Sequence, residues 1–179
     1  MITITLRQIQ SHFPCVIGWN LVFNAYSHLG DHTPFPLANV VRSNGMDDAL
    51  WCLRCLPEYG TLWRLFAHRL ACKAALALPD LDLAPPLRLL QDMAYQKVHS
   101  SDVSVMLSYV RELIRERPLA RSHLGVIRNA LRQDTALAAW LAYDADSATD
   151  EDTSAFLRLI GDMDGAINPP SRFRPEPTE

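Results

Sequence analysis

The sequence has no apolar run that approaches the roughly 18 residues that a membrane-spanning helix requires. Its richest apolar stretch, from Leu70 to Leu78, is short and is interrupted by Lys73. The N-terminal residues do not combine a basic segment with an apolar stretch, so they do not form a signal-peptide pattern. We therefore expect a cytoplasmic protein that does not span a membrane, with its four cysteines present as reduced thiols.

Motifs for catalysis are also missing. The chain contains no glycine-rich phosphate loop, no nucleophile elbow and no Ser/His/Asp set in a recognisable context. The net charge of −3 argues against a general nucleic-acid binder, because such proteins are usually basic. We therefore predict a non-enzymatic protein without a cofactor. An enzyme whose site leaves no sequence pattern is the alternative.

Helical signals run along the whole chain of 179 residues. Thr5 and Gln8 have the spacing of a capping box, Asp134 precedes an apolar run, and Gly161 follows another. Strand evidence is limited to Ile2-Thr3-Ile4, which is too short for a sheet. These patterns predict an all-α fold of about eight to nine helices in a single domain over residues 1–161, with a possible subdomain at 1–80. Residues 162–179 form a polar, Pro-rich tail.

Apolar residues at helical spacing predict the core. The predicted core residues are Trp19, Phe23, Leu50, Leu53, Leu62, Phe66, Leu70, Val103, Met106, Val110, Leu113, Ile127 and Leu131.

Four residues match the spacing of a small zinc finger: Cys52, Cys55, His68 and Cys72. The first two lie in a run that follows Asp47-Asp48 and favours a helix, whereas a finger places its first cysteine pair on a β-hairpin. Buried cysteine is common in helical cores, where it behaves as a small apolar residue. We therefore predict packing cysteines and no metal, and keep a zinc-binding module as an alternative.

Charge is distributed unevenly along the chain. Residues 111–132 contain Arg111, Arg115, Arg117, Arg121, Arg128 and Arg132 against two glutamates, for a local net charge of +4. Residues 134–179 contain ten acidic residues and three arginines, for a local net charge of −7. At about 100° per residue, Arg121, Arg128 and Arg132 form one stripe beside the apolar face of their helix. This stripe is a solvated face, a partner for the acidic C-terminal segment, or a docking surface for an acidic protein or a nucleic acid.

Three N-terminal segments carry a family resemblance: Ile4-Thr5-Leu6-Arg7-Gln8-Ile9, Pro14-Cys15-Val16-Ile17-Gly18-Trp19 and the run from Ser43 to Arg54. Over about residues 1–75 the chain resembles uncharacterised proteins of bacteria and their phages. The resemblance implies no catalytic residues. It implies a protein that binds host machinery, such as an inhibitor of a bacterial defence system similar in style to anti-CRISPR proteins. The implied partner is a host protein or ribonucleoprotein complex. The predicted binding residues are Arg111, Arg115, Arg121, Arg128 and Arg132.

Overall fold

The computed structural model describes residues 1–95, 98–143 and 149–162. Most of these residues are helical, which confirms the predicted all-α class. Within the described ranges the α-helices are α1 (Leu6–Ser11), α2 (Val16–Tyr26), α3 (Leu37–Asn44), α4 (Met46–Trp51), α5 (Gly60–Leu76), α6 (Ala84–Tyr95), α7 (Ser100–Glu116), α8 (Arg121–Ala130), α9 (Thr135–Ala142) and α10 (Asp150–Leu159). Short 3-10 turns occur at Ser27–Leu29, Cys52–Cys55, Pro57–Tyr59 and Pro118–Ala120. No helix in these ranges is long and apolar enough to cross a membrane.

The described residues group into two units. The first contains residues 1–56 and 149–162, and the second contains residues 57–95 and 98–143. The division falls inside the predicted subdomain at 1–80. The predicted tail at 162–179 lies outside the described residues, except for Asp162.

A two-stranded ladder begins the first unit. Strands β1 (Thr3–Ile4) and β2 (Phe35–Pro36) pair antiparallel, with Ile4 opposite Phe35. The Ile2 N–H donates to the carbonyl of Ile160 at 2.8 Å, so the N-terminus of the chain is bonded to the end of α10. The sequence prediction found the strand signal too short for a sheet, because the pairing partner lies some 30 residues further along the chain.

Local capping signals define the ends of helices in the first unit. The capping box of α1 is confirmed: the Gln8 N–H donates to Thr5 Oγ1 at 3.1 Å, and the Thr5 N–H donates to Gln8 Oε1 at 2.9 Å. At the other end of the unit, α10 stops where Gly161 adopts a φ of 86°, a left-handed conformation that glycine tolerates best. Just beyond it, Asp162 forms an ion pair with Arg42 of α3.

Helix α5 is the central helix of the second unit. It packs against α6, α8 and α9, and α8 also packs against α7 and α9. The buried face of α5 carries large apolar side chains, among them Trp63, Phe66 and Leu70. This packing determines which faces of α7 and α8 remain exposed to solvent.

The predicted core is confirmed for eight residues and needs correction for five. Buried as predicted are Leu50, Leu53, Phe66, Leu70, Val103, Val110, Ile127 and Leu131. Trp19, Leu62, Met106 and Leu113 are half-buried, and Phe23 is 38% exposed. The prediction for Phe23 was wrong because apolar residues occur all around α2, so periodicity could not show which of them would pack.

Candidate functional site

The six arginines of residues 111–132, all of which except Arg117 are predicted binding residues, lie on and around α7 and α8 of the second unit. Arg111 and Arg115 are one helical turn apart on α7, and Arg121 and Arg128 are on α8. Arg117 caps the C-terminus of α7, where its N–H donates to the carbonyl of Leu113 at 2.9 Å. Arg132 lies two residues beyond the end of α8, although the sequence pattern placed it within that helix. All six are exposed, and together we call them the arginine surface.

Most of the arginine surface lacks acidic partners among the described residues. Arg115 forms an ion pair with Glu112, and this hydrogen bond raises the pKa of the already basic Arg115. In the described ranges, the other five arginines form no ion pair. Within the described ranges, five of the six arginines therefore present positive charge that no ion pair compensates.

Packing of α8 gives the surface its orientation. Leu124, Ile127 and Leu131 are buried, which confirms the apolar face that their spacing predicted. Arg121 and Arg128 are exposed and lie beside this buried face, about a quarter turn around the helix. Between them, Gly125 occupies the same stripe, and a Cβ built there would meet no atom within 4 Å. The α8 stripe is therefore unobstructed between its two arginines.

A buried arginine holds the end of α8 in place. Arg64 of α5 is only 2% exposed, and its Nη1 donates to the carbonyl of Ala130 at 2.8 Å and to that of Arg132. Its Nη2 donates to the carbonyl of Gln133 at 2.8 Å. Burial lowers the pKa of Arg64, an effect that the charge of Asp134 opposes. A cation at a helix C-terminus is favourable, because the last carbonyls of a helix have no partner within the helix.

The role of Arg64 escaped the sequence prediction. In the sequence it is one arginine in a helical run, and nothing there indicates that its side chain points inward. In the structure it fixes the backbone at Ala130, Arg132 and Gln133, and so determines where the arginine surface ends.

A cavity of about 520 Å³ adjoins Arg117. It lies between the connection from α5 to α6 and the turn that joins α7 to α8. The cavity is lined by Arg117 and by Leu119, which is fully exposed. His123, Asp80 and Glu116 also contribute to the lining. The sequence prediction missed this cavity, because its two walls come from segments almost 40 residues apart. It places apolar surface directly beside the positive charge of Arg117.

The residues of the zinc-finger pattern fall into two pairs. Cys52 and Cys55 lie in the first unit, in the 3-10 turn that follows α4, and both are buried. Burial raises the pKa of Cys55 to about 12 and that of Cys52 well above its usual value of 9.0. Their buried, neutral thiols have the environment of packing cysteines in a helical core.

The second pair lies on α5, where Cys72 Sγ is 3.3 Å from His68 Nε2. Burial lowers the pKa of His68 and raises that of Cys72, so the neutral forms of both are favoured over a thiolate–imidazolium pair. Among the described residues, no group of three or more His, Cys, Asp and Glu side chains is arranged to hold a metal ion.

Comparisons with known proteins leave the chain without an identified relative. No family model, no curated protein and no solved structure matches it.

Proposed function

We propose that this chain is a non-enzymatic binding protein whose arginine surface docks on an acidic face of another protein. The observation that supports this is the exposure of five arginines without ion-pair partners among the described residues. Arginine suits such contacts, because its planar guanidinium group forms paired hydrogen bonds with carboxylates. A surface patch whose charges have the same sign also increases the association rate with an oppositely charged partner.

The partner class comes from the resemblance of residues 1–75 to bacterial and phage proteins. That resemblance favours a host protein or a ribonucleoprotein complex, and a role as an inhibitor of a bacterial defence system of the anti-CRISPR kind. An inhibitor of this kind works by occupying its target in a fixed stoichiometry. A stable protein–protein interface buries about 800 Å² on each partner. The cavity beside Arg117 would supply the apolar part of this interface.

A nucleic-acid ligand is the second candidate for the same surface. Residues 111–132 contain no Phe, Tyr or Trp for stacking on bases, and Glu112 and Glu116 lie among the arginines. Binding to a phosphate backbone would be weakened by both carboxylates. The charge pattern therefore favours a protein partner over DNA or RNA.

Charge reversal tests the proposal. A variant in which Arg121, Arg128 and Arg132 are all replaced by Glu should lose the partner that the wild-type protein captures from bacterial lysate. The three side chains are exposed, so folding should be retained. We expect the dissociation constant for the isolated partner to rise at least about a hundredfold, and binding to DNA and RNA to be weak for both proteins.

A matched control changes the same total charge elsewhere. Replacing Arg7, Arg88 and Arg158 with Glu also alters exposed arginines, but none of them belongs to the arginine surface. This variant should bind the partner within about threefold of the wild type. Equal losses in the two triple variants would show that only net charge matters, and would contradict a defined docking surface.

Gly125 offers a second test that removes no arginine. Because a side chain at this position meets open space, Gly125→Glu should place a carboxylate between Arg121 and Arg128 and weaken partner binding about tenfold. Gly125→Ala adds only a methyl group and should leave binding unchanged. If purified protein instead turns over a metabolite and retains no partner, the proposal of a binding protein is wrong.

A further inference from the structure

Helix α2 of the first unit leaves three of its apolar side chains, Val16, Ile17 and Phe23, exposed to solvent. Residues 13–30 contain no Asp, Glu, Lys or Arg, and eight of the eleven residues of α2 are apolar or aromatic. Yet Val22 is the only one of those eleven that is buried. Val16 and Ile17 are 74% and 73% exposed. A helix of this composition normally buries a wide apolar stripe, so part of the apolar surface of α2 has no packing partner among the described residues.

Helix geometry places the exposed residues together. At about 100° per residue, Val16, Ile17, Asn20 and Phe23 share the side of α2 opposite to Val22. The ring of Phe23 lies against that of Trp19, with the centroids 5.3 Å apart. Phe13 is also exposed and precedes Val16 by three residues in the chain. We call Phe13, Val16, Ile17, Asn20 and Phe23 the α2 patch.

Phe13 is the most unusual member of the α2 patch. It follows the cap of α1 with a φ of 56°, a left-handed conformation in which glycine is the usual residue. Its side chain is 90% exposed, so no packing against the described part of the chain compensates for the strained backbone. A bulky aromatic residue at this position would be stabilised by contact with another molecule.

The size of the α2 patch fits a dimer interface. Its apolar members expose on the order of 500 Å², near the upper end of the largest patch found on a typical monomer. A standard interface buries about 800 Å² per partner, of which roughly 60% is non-polar. The apolar area of the patch and its polar surroundings therefore match one side of such an interface.

The uncharged composition of the α2 patch indicates which kind of molecule can pack against it. Because the patch has no charge, two copies can meet across a two-fold axis without placing like charges opposite each other. Asn20, in the middle of the patch, can both donate and accept hydrogen bonds, so it is complementary to itself. Helices that lie on membrane surfaces carry Lys or Arg beside their apolar face, and residues 13–30 have neither. We propose that the α2 patch is a homodimer interface in which the α2 helices of two copies of this chain pack against each other.

Sedimentation of the full chain over a range of concentrations tests this proposal. We expect a monomer–dimer equilibrium. Val16→Asp should raise its dissociation constant at least about tenfold. Val105→Asp is the matched control, because Val105 is also an exposed valine on a helix but lies on α7. That variant should dimerise like the wild type.

Complementary charges test the two-fold arrangement. Asn20→Asp and Asn20→Lys should each dimerise at least about tenfold more weakly than the wild type, and their equimolar mixture should recover most of the affinity. Asn20 is exposed, so neither change should disturb folding. Failure of the mixture to recover would overturn the two-fold packing of α2 on α2.

Phe13→Gly separates association from folding. Glycine removes the strain of the left-handed backbone, so the melting temperature of the dilute monomer should rise, while dimerisation should weaken. A residue with a purely structural role would not shift the two measurements in opposite directions. A wild-type protein that remains monomeric up to millimolar concentration would overturn the proposal, as would equal losses in Val16→Asp and Val105→Asp.

Discussion

Replacing Arg64 with Met should destabilise the protein by about 3–4 kcal/mol, because it removes the cation that caps α8. Methionine preserves most of the apolar stem but cannot donate to the carbonyls of Ala130, Arg132 and Gln133. A bond from a charged donor contributes about 1.5–3 kcal/mol when it is buried. The hydrogen bonds to the carbonyls of Arg132 and Gln133 are only partly buried, so water bonds to these carbonyls in the variant. The expected destabilisation is therefore smaller than the sum for three fully buried hydrogen bonds.

Urea denaturation of three variants provides the assay. Arg64→Lys retains the charge but reaches fewer of the acceptors, so it should lose about 1.5–2.5 kcal/mol. Arg88→Met removes an exposed arginine from α6 and should change the free energy of unfolding by less than about 0.5 kcal/mol. Hydrogen exchange should also become faster in Arg64→Met at the amides that follow Ala130. A loss below about 1 kcal/mol, or one equal to that of Arg88→Met, would refute the capping role.

Three further predictions concern stability. Gly161→Ala should cost about 2 kcal/mol or more by urea denaturation, because φ is 86° and the new Cβ would lie 2.9 Å from the backbone of Met1. Its control, Gly125→Ala, meets open space and should gain about 0.5–1 kcal/mol. Equal effects in these two variants would contradict the structure. From pH 9 towards 12, the unfolded chain loses the Cys55 proton while the folded chain keeps it, so stability should fall as pH rises. Over that range, the free energy of unfolding should fall less steeply with pH in Cys55→Ala than in the wild type, and the two slopes should differ by about 1.4 kcal/mol per pH unit. Identical slopes would rule out burial of the Cys55 thiol. Finally, we expect no zinc by elemental analysis and an unchanged melting temperature in chelator. One zinc per chain, lost together with helicity in Cys55→Ser, would establish the metal site instead.

Helix ends were the most predictable part of the structure. The capping box at Thr5 and Gln8, the cap at Asp134 and the stop at Gly161 are all found where the sequence placed them. Prediction was less accurate for the helix that was expected to carry Arg121, Arg128 and Arg132. Because α8 ends at Ala130, Arg132 of the predicted stripe lies outside the helix.

The amino-acid sequence by itself determined the all-α class, the helix ends at Thr5, Asp134 and Gly161, and the apolar face of α8. Each of these depends on residues within about one or two helical turns, through capping bonds and the periodicity of apolar side chains. Tertiary structure alone decided the inward position of Arg64, the pairing of Ile4 with Phe35 and the exposed face of α2. Those features depend on contacts between segments that are distant in the sequence. Burial of a side chain is a property of the neighbours that the fold brings to it, and local patterns do not specify those neighbours.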